Sequence, residues 1–234
     1  MTGLLDATAR ATLYRAHRDR GAVVLKPKHL KQFDREFANL TEARPDMAVL
    51  EIGCGAGLFL RYLEARGYRD IVGVDSDTGL AEALANLRVA KVHLDDVRRV
   101  LDGMLAGRRF DRIVLFDVAE HLDLGVLVAL LKRLKDALAD GGRLLLRTPN
   151  LASPFGTAIF FGSFDHVTAL SPERMREMGV LAGLECLGVY PQEPVPLFRR
   201  MRQRVAFCLM EWMTSQHPGI WTANLLAVYA RGKT

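Results

Sequence analysis

The chain has 234 residues, half of them apolar and a quarter charged, with a net charge of +5 and three cysteines. That balance excludes a disordered chain and a disulfide-stapled secreted module, and it suffices for one α/β domain with a sizeable core. No apolar run approaches the roughly 18 residues of a membrane span.

From the start, "MTGLLDATARATLYRAHRDR" lacks the apolar segment of a secretory signal. Cys54, Cys186 and Cys208 are too far apart for a metal or redox pair, so a cytoplasmic protein with reduced thiols is expected. Basic residues cluster in "RAHRDRGAVVLKPKHLK" and again in "RRMRQR", either as a solvated face or as a surface for phosphate, nucleic acid or anionic lipid. Leu30, Phe33, Phe37 and Leu40 form a helical stripe, which predicts a helical cap over residues 1–46. Apolar strands then follow at "AVLEI", "DIVGVD", "AKVHL", "FDRIVLFD" and "GRLLLRTPN". Helical stretches separate them at "LFLRYLEARG", "GLAEALANL" and "LGVLVALLKRLKDALADGG", the last expected to stop on its Gly-Gly. A long loop over 151–170, rich in Phe, Gly, Ser and Pro, reads as a substrate lid. Beyond it come a helix at "SPERMREMGVLAG" and a strand-helix-strand unit over 184–230. Strands alternating with helices imply a parallel, doubly wound sheet, whose ligands bind beyond the carboxyl ends of the strands.

The turn "LEIGCGAG" sits at such an end. Gly53, Gly55 and Gly57 give G-x-G-x-G, and Leu58 stands where the dinucleotide fingerprint needs its third glycine. Glu51, two residues before Gly53, would repel a pyrophosphate and attract an ammonium or sulfonium group. Asp75 ends "VGVD", where a carboxylate can accept both hydroxyls of a ribose. Ribose, positive charge and no phosphate together describe S-adenosylmethionine.

At this point "VLEIGCGAG", "VGVD", "LDDV" and "FDRIVLFDVAEHL" resemble the successive motifs of class I S-adenosylmethionine-dependent methyltransferases over residues 47–150. The resemblance implies a Rossmann-like, seven-stranded, mostly parallel sheet with an antiparallel last strand, the methyltransferase domain spanning 47–234. It implies that Glu51, Gly53 and Gly55 face the methionine part of the cofactor and Asp75 the ribose, with Cys54, Gly57 and Ser76 as further cofactor-binding residues. Asp96 would bond the adenine amine with Val97 beside the ring, Asp95 being the alternative to Asp96. Asp117 would close the same site.

For a hydroxyl acceptor the protein must align the oxygen and remove its proton. His121 in "DVAEHL" and His166 in "SFDHVTALS", with its neighbour Asp165, are the candidate catalytic groups. Asp117, Glu120, His121 and His166 also form a set suited to Mg²⁺ or Mn²⁺. It resembles the metal site of small-RNA 3′-terminal ribose methyltransferases and, less closely, that of quinone-pathway O-methyltransferases, although Asp117 stands where the RNA family has glutamate. The segment from "TPNLASPFG" to "SPERMREM" resembles methyltransferases of bacterial surface-polysaccharide and glycolipid synthesis. That resemblance implies a sugar hydroxyl on a glycan, glycolipid or sugar nucleotide, with Phe155, Phe160, Phe161 and Phe164 either stacking on the acceptor or packing under the loop. The other readings are O-methylation of an aromatic or quinone precursor, ribose methylation of RNA, and a non-catalytic cofactor-binding module. DNA is not an expected partner.

In "LFRRMRQRVAFCLMEWM", Leu197, Met201, Val205, Cys208, Leu209 and Trp212 recur at helical spacing, which predicts a buried apolar face. Arg199, Arg200, Arg202 and Arg204 crowd the first turns, against the helix dipole. They need an anionic partner: acidic side chains of the fold, or a phosphate on the acceptor. Any membrane contact of so short and charged a helix would be peripheral.

Overall fold

The computed structural model describes residues 23–192, 197–215 and 219–232, so the first 22 residues of the expected cap, with the first part of the basic N-terminal stretch, lie outside the described residues. Seven strands form one sheet in the order β3-β2-β1-β4-β5-β7-β6: β1 (Val49–Ile52), β2 (Ile71–Asp75), β3 (Lys91–Leu94), β4 (Phe110–Phe116), β5 (Leu138–Pro149), β6 (Leu184–Pro191) and β7 (Asn224–Arg231). The first five pair in parallel. β7 runs antiparallel to both neighbours, as expected.

Eight α-helices accompany the strands among the described residues: α1 (Pro27–Phe33), α2 (Leu58–Ala65), α3 (Ala81–Leu84), α4 (Val97–Asp102), α5 (Leu124–Ala137), α6 (Pro154–Phe160), α7 (Pro172–Ala182) and α8 (Leu197–Thr214). The apolar stripes of α2, α5 and α7 each find a sheet face. Leu50 and Ile52 of β1 point to the side covered by Leu127, Leu131 and Leu134 of α5 and by Met175 of α7. Val49 points to the other side, covered by Leu60 and Leu63 of α2.

The N-terminal stripe forms as predicted. Helix α1 continues as a π-helical segment over Asp34–Asn39, and Phe33 and Phe37 are both buried. Phe59 lies 5.1 Å from Phe33, 4.9 Å from Phe37 and 5.1 Å from Phe116, ring centre to ring centre. Truncating Phe37 to alanine would remove a fully buried ring at about 3–5 kcal/mol.

Two details depart from the sequence reading. Helix α5 ends at Ala137, before the Gly-Gly pair, because fully buried Leu138 turns extended and pairs with Phe110. The apolar arc of α8 is exposed: Met201 is 60% and Trp212 81% accessible, and no residue of this helix is buried.

The strand order reverses between β1 and β4, which opens a crevice at the carboxyl ends of the sheet.

Candidate active site

The glycine turn leaves β1 into this crevice. Gly53, Gly55 and Gly57 all have positive φ. At Gly53 (φ 73°) a Cβ would lie 2.4 Å from Cγ2 of Val118, and at Gly57 (φ 79°) 2.8 Å from Cδ2 of Leu84. Side chains are therefore excluded at both positions by conformation and by space. Asp75, 3% exposed at the tip of β2, accepts the Gly55 N–H at 2.9 Å and the Asp77 N–H at 3.0 Å. These bonds fix its carboxylate against the glycine turn. Glu51 is buried near the end of β1. Cys54 does not present its thiol to the crevice; Sγ packs in the core, 3.2 Å from the Cβ position of Gly73.

A cavity of about 560 Å³ fills the crevice, lined among others by Gly53, Asp75, Ser76, Asp96, Val97 and His121. Its size suits a nucleoside with an amino-acid arm. The buried carboxylates and the side-chain-free turn fit the sulfonium nucleoside expected from the sequence. Asp95 and Asp96 both line the wall. Asp96 also caps α4 through the Arg98 N–H at 2.8 Å and pairs with the Arg98 guanidinium at 2.8 Å, which holds its carboxyl down at about 2.

Beyond β4, a 3₁₀ turn (Ala119–His121) meets the lid. Its joint is the Glu120 carbonyl, which accepts the N–H groups of Val167 and Thr168 at 2.7 and 3.1 Å. The His121 and His166 rings are thereby brought edge to face, 4.7 Å apart. Nδ1 of His121 lies 3.2 Å from Oδ2 of Asp165, a 6%-exposed carboxylate that also accepts the Ser163 hydroxyl. The charge of the carboxylate beside Nδ1 favours a proton on that nitrogen, which would leave Nε2 as the basic one. Burial, aided by the neighbouring His166, lowers the His121 pKa below the usual histidine value despite the opposing pull of Asp165. His166 Nδ1 is 2.9 Å from the Phe160 carbonyl, which fixes that ring from the lid side. Of the pair, His121 with its partner Asp165 lines the cavity.

Glu120, His121 and His166 offer ligand atoms that all lie within 4.8 Å of one another, so these three could hold a cation. Asp117 is not in this group. Its backbone is left-handed (φ 56°), and its carboxylate forms a two-pronged pair with Arg147 at 3.0 and 2.5 Å. Asp117 is thus directed to Arg147 and is not brought into the group of Glu120, His121 and His166. Glu120 is 2% exposed; burial, reinforced by the charge of Asp117, raises its carboxyl to about 8 although it accepts the Thr148 hydroxyl at 3.1 Å.

Arg147 was not apparent from the sequence. It stacks on Phe116 at 4.5 Å and joins Asp117 to Glu36 at 2.9 Å. Gln32 and Gln192 each donate to Glu36 at 2.8 Å. The two glutamines line a second cavity, of about 840 Å³, together with Lys28, Phe155, Arg199 and Trp221. Phe207 stacks on Trp221 (5.8 Å, 16°) and touches Phe155 at 6.1 Å. Of the lid phenylalanines, Phe155 thus joins the second cavity, Phe160 is buried beside His166, and Phe161 and Phe164 are exposed. Trp221 and Gln192 carried no motif or periodicity that would single them out.

Residues 18–189 match the model of a family described as a methyltransferase domain. The chain is 30% identical over 128 residues to a ubiquinone biosynthesis O-methyltransferase of Bradyrhizobium diazoefficiens, covering 51% of this chain and 46% of that protein. It is 36% identical over 114 residues to a protein-L-isoaspartate O-methyltransferase of Chlorobaculum parvum, covering 47% and 48%. The chain thus spans about half the length of these curated relatives. Among solved structures, a SAM-dependent methyltransferase from Archaeoglobus fulgidus shares the fold with a TM-score of 0.66 at 18% identity, over 86% of this chain and 92% of that one.

Proposed function

The chain belongs to the methyltransferase-domain family, and from that premise we propose that it is an S-adenosylmethionine-dependent O-methyltransferase acting on a sugar hydroxyl of a glycan, glycolipid or sugar nucleotide. The observation that carries the hydroxyl assignment is the His121–Asp165 pair on the wall of the first cavity, Nδ1 to Oδ2 at 3.2 Å. Asp75, Ser76 and the glycine turn would hold the nucleoside. Asp96 and Val97 would flank the adenine, and Glu51 would favour the positive end. When bound, S-adenosylmethionine supplies a methyl group made electrophilic by its sulfonium. His121 Nε2 takes the proton of the acceptor hydroxyl, and Asp165 orients the ring and stabilises the imidazolium. A lowered pKa keeps His121 neutral, and so competent as a base, at neutral pH.

The sugar assignment is supported by the second cavity. Its Phe207–Trp221 face is a stacking surface for a pyranose ring, glutamine amides line it, and Lys28 and Arg199 suit a linked phosphate. A second reading draws on the ubiquinone-pathway relative, whose name points to a small aromatic hydroxyl, and on the Glu120–His121–His166 group, which would hold Mg²⁺ or Mn²⁺.

A methyl-transfer screen over sugar, phenolic and RNA acceptors, run with and without chelator, separates these readings. Turnover on a sugar acceptor that survives chelation supports the base mechanism. His121→Ala then lowers kcat by about 10²- to 10⁴-fold, with cofactor affinity retained. The acid limb of kcat/KM falls below pH 6.5, the ordinary histidine value, because protonation of a depressed His121 sets it. Activity on phenols alone, abolished by chelation and restored by Mn²⁺, would replace the sugar reading with the second one.

A further inference from the structure

Helix α8 presents two unlike faces. Gln203, Phe207 and Met210 turn inward and line the second cavity. The outward arc carries Leu197, Phe198, Met201, Val205, Leu209, Trp212 and Met213, all more than half exposed. At 3.6 residues per turn these positions span about 160° of the helix circumference. Exposed apolar area this continuous calls for a covering phase.

The charges say which. Arg200 and Arg204 flank one edge of the arc, and Arg202 lies inside it, between Leu209 and Met213 in helical projection. Glu211 is the one acid in the helix sequence. Arg202 sits near one rim of the arc, about 20° from its end, where a covering phase has to leave its charge an anionic counterpart. At a bilayer surface its long side chain reaches back to the lipid phosphates while its stem lies among acyl chains. Phe198 and Trp212, near the middle of the arc and at opposite ends of the helix, are residue types that bury into the boundary between headgroups and acyl chains. No helix among the described residues is long and apolar enough to cross a membrane, so α8 can only lie in the surface plane.

We infer that α8 docks the protein on an anionic phospholipid surface, its outer apolar arc in the headgroup layer and its arginines on the lipid phosphates. Docking in this orientation turns the outer wall of the second cavity toward the bilayer. The inference does not depend on the identity of the methyl acceptor.

The full chain is sedimented with vesicles of phosphatidylcholine alone and of phosphatidylcholine with 30% phosphatidylglycerol (about that fraction, enough for a negative surface potential). Binding is expected only to the anionic vesicles and should weaken as salt is raised. Phe198→Gln with Trp212→Gln, both on solvent-exposed positions, should lower the partition coefficient by at least about tenfold while the melting temperature stays at that of the parent. Trp212 emission should shift to the blue on binding, and the Trp212→Phe variant should lose that shift. Three results would overturn the inference: no binding to anionic vesicles at low salt, binding unchanged in the double variant, or a lipid-free dimer that the double variant dissociates. The last would assign the face to a second copy of the chain.

Discussion

Replacing Glu120 with glutamine distinguishes a buried neutral acid from a metal ligand. Burial raises its carboxyl from 4.5 to about 8, with the charge of Asp117 adding to the effect and the Thr148 hydroxyl and Arg147 opposing it. A group with a raised folded-state pKa binds more protons folded than unfolded throughout that interval. The contribution of Glu120 to stability is therefore greatest below pH 4.5, falls as pH rises through the window, and levels off above about 8. At about 1.4 kcal/mol per pKa unit the full loss is on the order of 5 kcal/mol, an upper bound because the site can relax or admit water. Glutamine keeps an acceptor for Thr148 and carries no charge. Urea unfolding with chelator present should show Glu120→Gln gaining a few kcal/mol over the parent at pH 8.5 and nothing at pH 4.5. An identical difference at both pH values would refute the buried-acid reasoning. If Mn²⁺ stabilises the parent at pH 8.5 but not the variant, the carboxylate is a ligand instead.

The glycine turn makes a second prediction: Gly53→Ala should lower stability by about 1–3 kcal/mol and weaken cofactor binding, since its Cβ meets Val118 at a positive φ. Denaturation midpoints at parent values would contradict it. For the second cavity, Arg199→Gln should raise the KM of a phosphorylated sugar acceptor severalfold and leave the cofactor Kd unchanged, whereas Arg202→Gln should leave both constants alone, because only Arg199 lines that cavity. Equal KM values for Arg199→Gln and the parent would remove Arg199 from acceptor binding.

The sheet was legible because its strands are short apolar runs separated by amphipathic helices, and buried β1 and β2 have no polar side chain except Glu51 and Asp75. Glu51 and Asp75 stood out for that reason: a carboxylate at a buried strand tip is costly unless something nearby compensates it. The histidines could be named, but not ranked. What favours His121 is Asp165, which reaches it only because the Glu120 carbonyl captures the lid backbone. Asp117 stands apart from the histidines for a related reason. Its spacing to Glu120 and His121 suggested one cluster, yet a left-handed backbone turns it to Arg147, a residue 30 positions away that periodicity does not connect to it. Periodicity likewise revealed the apolar arc of α8 but not what covers it, so an exposed face was read as a buried one.

The central claim is that the crevice beyond β1 and β2 binds S-adenosylmethionine through the glycine turn and Asp75. Isothermal titration of the full chain with S-adenosylmethionine tests it most directly, run beside Asp75→Ala. The account predicts one-site binding by the parent and a loss of about tenfold or more in affinity in a variant that remains folded, because the ribose loses a charged acceptor fixed by two backbone N–H groups. No binding heat from the folded parent, or an unchanged Kd in the variant, would contradict it.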